Sequence, residues 1–311
     1  MTDEIVYAKD FGPNVASVVD AVTAIWPLHT DFMRSSLAAH DAQNRPVLEK
    51  LAADIVQLCG ADLGDDVMQY RRMCEAFLEE ELYFRRNDSY RCTSLEEAKR
   101  HVYDDADFMH MYMKGLLISQ LLWNNHAKAM SAFSNSFLPS LAAGTKVLEV
   151  GPGHGLFMSR MLRDHDALEV YGWDISKQSL EMTHASLKTL GLVDGYHLQQ
   201  RDVLASDDDV PTFDAVIISE VLEHLERPLE ALTSLRRRLN PGGRIFINIP
   251  INSPAPDHIY LIREPEGVWQ MTKDAGLEIF ETYTFPMTGY TYERAIKNVA
   301  TITCIAIARV A

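Results

Sequence analysis

The chain has 311 residues, enough for one large domain or two ordinary ones, and its 47% apolar and 23% charged residues match a soluble globular protein. A formal charge of −15, with one compact basic cluster at Arg236-Arg237-Arg238, argues against nucleic acid, whose binding relies on grouped lysines and arginines that release counterions. The longest apolar runs, such as Ile302–Val310, are too short to span a bilayer. The opening MTDEIVYAKD has no basic stretch leading into an apolar one, and Cys59, Cys74, Cys92 and Cys304 show no ligand spacing. A cytoplasmic protein acting on a small molecule is expected, with neither membrane nor nucleic acid among its partners.

In chain order, residues 13–141 read as helices. Apolar positions recur at spacings of three and four in LEKLAADIVQLCG and VMQYRRMCEAFLEEELYF. Ser94 and Glu97 have capping-box spacing, and Pro27 interrupts the first long helix. FMHMYMKGLLISQLLW is apolar almost all round, as a helix enclosed by others is.

After Ala142-Ala143-Gly144 short apolar runs alternate with amphipathic stretches: KVLEVG, EVYGWDI, YHLQQRD, FDAVIIS and RIFINIP, with SLEMTHASLKTLG, LEALTSLRRRL and REPEGVWQMTKDAG as helices among them. Such alternation predicts a doubly wound parallel sheet. LEIFETYTF and TITCIAIARV follow without the usual helical crossover, which predicts an antiparallel edge. The expected organisation is an all-helical domain over 1–143 and a Rossmann-like α/β domain with a mixed, seven-stranded sheet over 144–311.

Ligands in such sheets bind beyond the carboxyl ends of the strands. The first strand runs into Glu149-Val-Gly-Pro-Gly-His-Gly155, and glycines at alternate positions let the backbone turn sharply and approach a ligand. That pattern alone suits a dinucleotide equally well. Asp174 closes the second strand about twenty residues on, where a carboxylate can accept both ribose hydroxyls, and Asp202 follows the third, placed to hold an adenine amino group.

Taken together, VLEVGPGHG, GWDIS, RDV, FDAVIISEVLEHL and LNPGGRIFINIP resemble the class I S-adenosylmethionine-dependent methyltransferases over about residues 144–311. The resemblance implies S-adenosyl-L-methionine as cofactor. Gly151, Gly153 and Gly155 would line its methionine end, Asp174 its ribose, and Asp202 with the Val203 backbone its adenine. Glu149, Ile175 and Ser219 complete the implied set, while His154 occupies a variable position of the turn.

Residues 219–225, SEVLEHL, stand where the fourth strand should give way to a helix. One reading is a polar helix start, since first-turn carboxylates suit the helix dipole. On a helix, however, Glu220, Glu223 and His224 would share one face, and a cation would relieve the repulsion between the carboxylates. His258 follows in NIPINSPAPDHIYL, a loop that leaves the same end of the sheet. E-x-x-E-H plus this histidine resembles the metal site of small-RNA 2′-O-methyltransferases, with related sites in ubiquinone-pathway O-methyltransferases. In that reading Glu220, Glu223, His224 and His258 bind Mg²⁺, Mn²⁺, Fe²⁺ or Zn²⁺ and lower the pKa of an acceptor oxygen. The rival is His224 as a metal-free general base, with Glu220 beside it at the reacting centre.

The helical half is placed to cap the site. His110, Tyr112, Asn124, Asn125 and His126 are polar groups at unexpected positions in it, each also readable as a satisfied core group or a helix cap, and Tyr260, Tyr290 and Tyr292 are weaker candidates. The expected activity is O- or N-methylation of a small biosynthetic acceptor, with C-methylation of a 2-oxo acid as an alternative. RNA methylation, a non-catalytic cofactor-binding subunit and a nicotinamide dehydrogenase are the other readings. Self-association through the helical half is compatible with all of these.

Overall fold

The computed structural model describes residues 8–165, 167–205 and 211–310. The chain divides into two compact units: Met1–Ser131 with Asn252–Leu261 and Phe285–Thr303, and Ala132–Ile251 with Ile262–Thr284 and Cys304–Ala311.

The first unit is built on α1 (Pro13–Ile25), α2 (Thr30–Ala38), α3 (Arg45–Cys59), α4 (Leu63–Asn87), the single turn α5 (Leu95–Ala98), α6 (Ala106–Leu122) and the start of α7 (Asn124–Ala132). Pro27 does end the first helix, and a 3₁₀ turn over Pro27–His29 follows. Ser94 Oγ accepts from Glu97 N–H at 3.2 Å, but Glu97 reaches back to Thr93 N–H at 2.8 Å instead of to Ser94, so the expected cap is shifted by one residue. Gly115 lets α6 close on α4, because a Cβ there would lie 2.6 Å from that of Met73. Trp123 Nε1–H donates to Tyr70 Oη at 3.0 Å, and Tyr70 lies 2.9 Å from His29 Nε2. Burial lowers the His29 pKa to about 4, so the neutral ring can accept the tyrosine proton.

The second unit carries a seven-stranded sheet in the order β3-β2-β1-β4-β5-β7-β6. Its strands are β1 (Lys146–Val150), β2 (Glu169–Asp174), β3 (Tyr196–Gln200), β4 (Phe213–Ser219), β5 (Leu239–Ile251), β6 (Leu277–Pro286) and β7 (Ile302–Val310). The first five pair in parallel and the edge beyond β5 is antiparallel, as the missing crossover predicted. The helices α8 (Leu156–Asp164), α9 (Lys177–Thr189), α10 (Pro228–Arg238) and α11 (Pro265–Asp274) join the strands, and a short α12 (Tyr292–Lys297) precedes β7. Val147, Leu148, Val216, Ile217 and Ile218 are fully buried in β1 and β4, which is why these strands read as continuous apolar runs. β1 and β4 lie at the middle of the sheet, so the turns after them open at its carboxyl edge.

Candidate cofactor and acceptor site

The turn after β1 holds three glycines in the left-handed region: Gly151 at φ +68°, Gly153 at +51° and Gly155 at +71°. Gly151 N–H donates to Trp173 O at 2.8 Å, and Thr183 Oγ1 of α9 donates to Gly153 O at 2.7 Å, so the turn is tied to the next strand and the next helix. A Cβ on Gly153 would meet no protein atom within 4 Å, which makes this the position where a ligand can approach bare backbone. Glu149 beneath the turn is 3% exposed. Burial pushes its pKa up to about 8 against a hydrogen bond from Met158 N–H, and Oε2 is left without a partner.

Asp174 ends β2. Its carboxylate accepts from Ser176 N–H at 2.8 Å and from Ser179 Oγ at 2.6 Å, which fixes both oxygens at the strand end. The neighbouring Ile175 is 60% exposed, an apolar shelf beside a fixed carboxylate. Asp202 is exposed and accepts from Leu204 N–H at 2.8 Å, while Val203 is buried. Bare backbone, a fixed carboxylate and an exposed aliphatic side chain along one sheet edge fit the phosphate-free polar tail, the ribose and the flat base of an adenosyl sulfonium compound.

SEVLEHL is not a helix start. β4 ends at Ser219, Glu220 adopts φ +53°, Leu222–His224 form one 3₁₀ turn, and α10 begins only at Pro228. Two local causes are visible: Leu222 is fully buried, and Pro228, whose φ is preset for a first helical residue, fixes where the helix starts. Glu220, Glu223 and His224 therefore do not share a helical face. Burial raises the Glu220 pKa to about 7, against the Asn248 and Glu223 side chains, which favour its charged form. Glu223 is fully buried, with His224 Nε2 3.9 Å from its Oε1.

His258 lies in the 252–261 segment of the first unit. Its Nδ1 is 2.7 Å from Ser253 O, and a carbonyl only accepts, so Nδ1 carries a proton. That loop is held from distant parts of the chain. Ser253 N–H donates to Tyr90 Oη at 2.8 Å, and Cys92 Sγ is 3.4 Å from Pro256 O. The buried Asp257 carboxylate accepts from Tyr112 Oη at 2.6 Å and Tyr103 Oη at 3.1 Å. Tyr112→Phe removes the shorter bond inside the core, and it is expected to lower the unfolding free energy by about 1–3 kcal/mol in urea titrations, more than Tyr103→Phe.

The remaining candidates sit as follows. His110 is exposed on α6, and Tyr260 is 37% exposed. Asn124 Nδ2 donates to Pro286 O at 3.2 Å, with its Oδ1 left unbonded, and Asn125 Nδ2 donates to Thr303 Oγ1 at 3.0 Å. His126 Nδ1 is 3.2 Å from Ser119 Oγ, and burial lowers the His126 pKa to about 4. Tyr290 is half-buried and Tyr292 exposed. Sequence reasoning missed Asn248, the one polar residue in the apolar run of β5, and the Tyr103–Asp257–Tyr112 clamp, which no local pattern announces.

Residues 148–245 match the family model described as a methyltransferase domain. The glycine turn at 151–155 and strands β2, β3 and β4 lie within that match, so this region is similar to a methyltransferase domain. A ubiquinone biosynthesis O-methyltransferase from Alkalilimnicola ehrlichii is 31% identical over 128 residues, 41% of this chain and 50% of that protein. One from Dechloromonas aromatica is 32% identical over 130 residues, 42% and 54% respectively. The chain thus spans about half the length of the curated relatives it matches. The structure of Haemonchus contortus phosphoethanolamine N-methyltransferase 2 in complex with S-adenosyl-L-methionine shares the fold, with a TM-score of 0.50 and 13% identity over 67% of this chain and 59% of that one. Among the described residues no helix is long and apolar enough to cross a membrane.

Proposed function

We propose that the protein transfers the methyl group of S-adenosyl-L-methionine to an oxygen or nitrogen of a small-molecule acceptor. The observation that carries this reading is the open backbone at Gly153, flanked by the fixed carboxylate of Asp174 and the exposed Ile175. The cofactor, when bound, supplies a methyl carbon made electrophilic by a positive sulfur. The chain's part is to hold Gly151–Gly155 and Asp174 rigid, keep water from the reacting centre, and take a proton from the acceptor. The relatives named as ubiquinone O-methyltransferases favour an oxygen acceptor, and the charge of −15 favours a small one over a polynucleotide. In this reading Glu149, Ser219, Asp202 and Val203 complete the cofactor site, while His110, Asn124, Asn125, His126, Tyr112 and Tyr260 supply acceptor contacts.

A second element of the proposal is a divalent ion. The buried Glu223 and half-buried Glu220 favour it, since two desolvated carboxylates so near in the chain repel and a cation relieves that repulsion. Glu220, Glu223, His224 and His258 are the donors, a mixed oxygen and imidazole set that suits Mg²⁺, Mn²⁺, Fe²⁺ or Zn²⁺. Without an ion, His224 would act as the base.

Calorimetry with S-adenosylhomocysteine and with NAD tests the first element. Binding of the former alone is expected, weakened at least about tenfold in Asp174→Ala, as loss of a charge-assisted hydrogen bond implies. Absence of heat from S-adenosylhomocysteine would end the reading. Methyl incorporation from labelled cofactor into a panel of phenols and amines, before and after chelation, tests the second. Full turnover by metal-free protein leaves His224 as the base.

A further inference from the structure

The turn after β3 carries Asp202 and Val203, and its internal bonds are local: Asp202 Oδ1 accepts from Leu204 N–H at 2.8 Å, and Asp202 O from Ala205 N–H at 3.1 Å. Its start is tied to the sheet, Arg201 N–H donating to Asp174 O at 2.9 Å. Its far end is held by two side chains of α10, in the same unit. Ser234 Oγ donates to Val203 O at 2.6 Å, and Arg238 Nη2 donates to Ala205 O at 3.2 Å. Arg238 Nη1 reaches back one turn of its helix and donates to Ser234 Oγ at 2.7 Å, so a cation feeds the hydroxyl that holds Val203. Hydrogen bonds linked in such a chain polarise and strengthen one another. The guanidinium is itself steadied, its carbon 5.8 Å from the centre of the buried Trp173 ring. Trp173 O accepts from Gly151 N–H at 2.8 Å, so one residue braces the glycine turn through its backbone and Arg238 through its indole.

We infer that Ser234 and Arg238 are positioning residues for adenine recognition. By fixing the carbonyls of Val203 and Ala205 they set where the Val203 N–H and the Asp202 carboxylate stand, and so let the turn tell adenine from a base without its amino group. The inference rests on the reading of Asp202 and Val203 as adenine contacts. It extends that reading to the arginine-rich end of α10, which composition alone assigns to the helix dipole. A hydrogen bond weakens steeply once it is misaligned, so a turn free to tilt would lose the amino-group contact first. Arginine suits the task because its planar fork serves two acceptors at once, here Ser234 Oγ and Ala205 O, where a lysine is a single point charge.

The test compares, by calorimetry on the full chain, S-adenosylhomocysteine with S-inosylhomocysteine, in which a carbonyl replaces the adenine amino group. The native protein is expected to bind the first at least about tenfold more tightly, as one hydrogen bond to a charged group implies. Ser234→Ala should cut that preference to less than about threefold, by weakening S-adenosylhomocysteine far more than S-inosylhomocysteine. Arg238→Met, which keeps a stem against Trp173 and removes the fork, should do the same. A residue that merely supported the fold would weaken both ligands alike, so a native preference kept in Ser234→Ala overturns the inference. If the alanine variant fails to fold, a native preference kept in Arg238→Met overturns it instead. A native chain that binds both ligands equally well also overturns it, and leaves the methyltransferase reading in place. A native chain that binds neither ends that reading, and this inference with it.

Discussion

Replacing Gly153 by alanine is expected to weaken S-adenosylhomocysteine binding about a hundredfold, close to 3 kcal/mol, while the protein stays folded. The backbone at 153 sits at φ +51°, which costs an alanine roughly 1–2 kcal/mol, a cost that most folded domains survive. Nothing in the protein lies within 4 Å of the added methyl, so the fold has no steric objection to it. The methyl would instead occupy the space through which a ligand reaches the backbone. Gly151 behaves differently: its Cβ would fall 2.6 Å from Val221 Cγ2, so Gly151→Ala should lower stability and binding together. Calorimetry and thermal unfolding on the two variants separate the effects. If Gly153→Ala bound S-adenosylhomocysteine as tightly as the native protein, the turn would not be the cofactor cradle.

This contrast shows which parts of the molecule are legible in sequence. The glycine turn could be read because conformational demand and residue identity coincide at single positions, and β1 and β4 because their runs of Val, Ile and Leu are buried on both faces. The stretch after β4 could not. Spacing of three and four residues implies a shared face only on a helix, and the buried Leu222 together with Pro228 imposes a 3₁₀ turn there. The loop bearing His258 was harder still. Its fixed geometry comes from Tyr90, Cys92, Tyr103 and Tyr112, at least 145 residues earlier in the chain, and no local periodicity encodes pairings of that range. Asn248 was passed over inside an apolar run of β5, although one buried amide among isoleucines is a local inconsistency, here answered by its bond to Ser219 Oγ of the neighbouring strand.

Glu149 carries the second large expectation. Its carboxyl titrates near 4.5 when solvated and near 8 in the folded chain, because burial disfavours the charged form more than the Met158 N–H favours it. The folded state therefore binds more protons than the unfolded one between these values. Stability is highest at the acid end of that window, falls as pH rises through it, and levels off above pH 8. Glu149→Gln keeps the shape and removes the titration. In cofactor-free protein the variant should gain on the native chain by about 4 kcal/mol between pH 5 and pH 8.5, read as urea unfolding free energies at the two pH values. A gap that does not change with pH would show that Glu149 is not protonated by burial. The same proton gives a signature of binding. A cationic amino group placed beside Glu149 favours the carboxylate, so S-adenosylhomocysteine should expel a proton near pH 7, visible as binding heat that depends on the ionisation enthalpy of the buffer. Glu149→Gln should abolish that dependence and weaken binding, because a residue kept at the expense of stability has to recover that cost in what it binds.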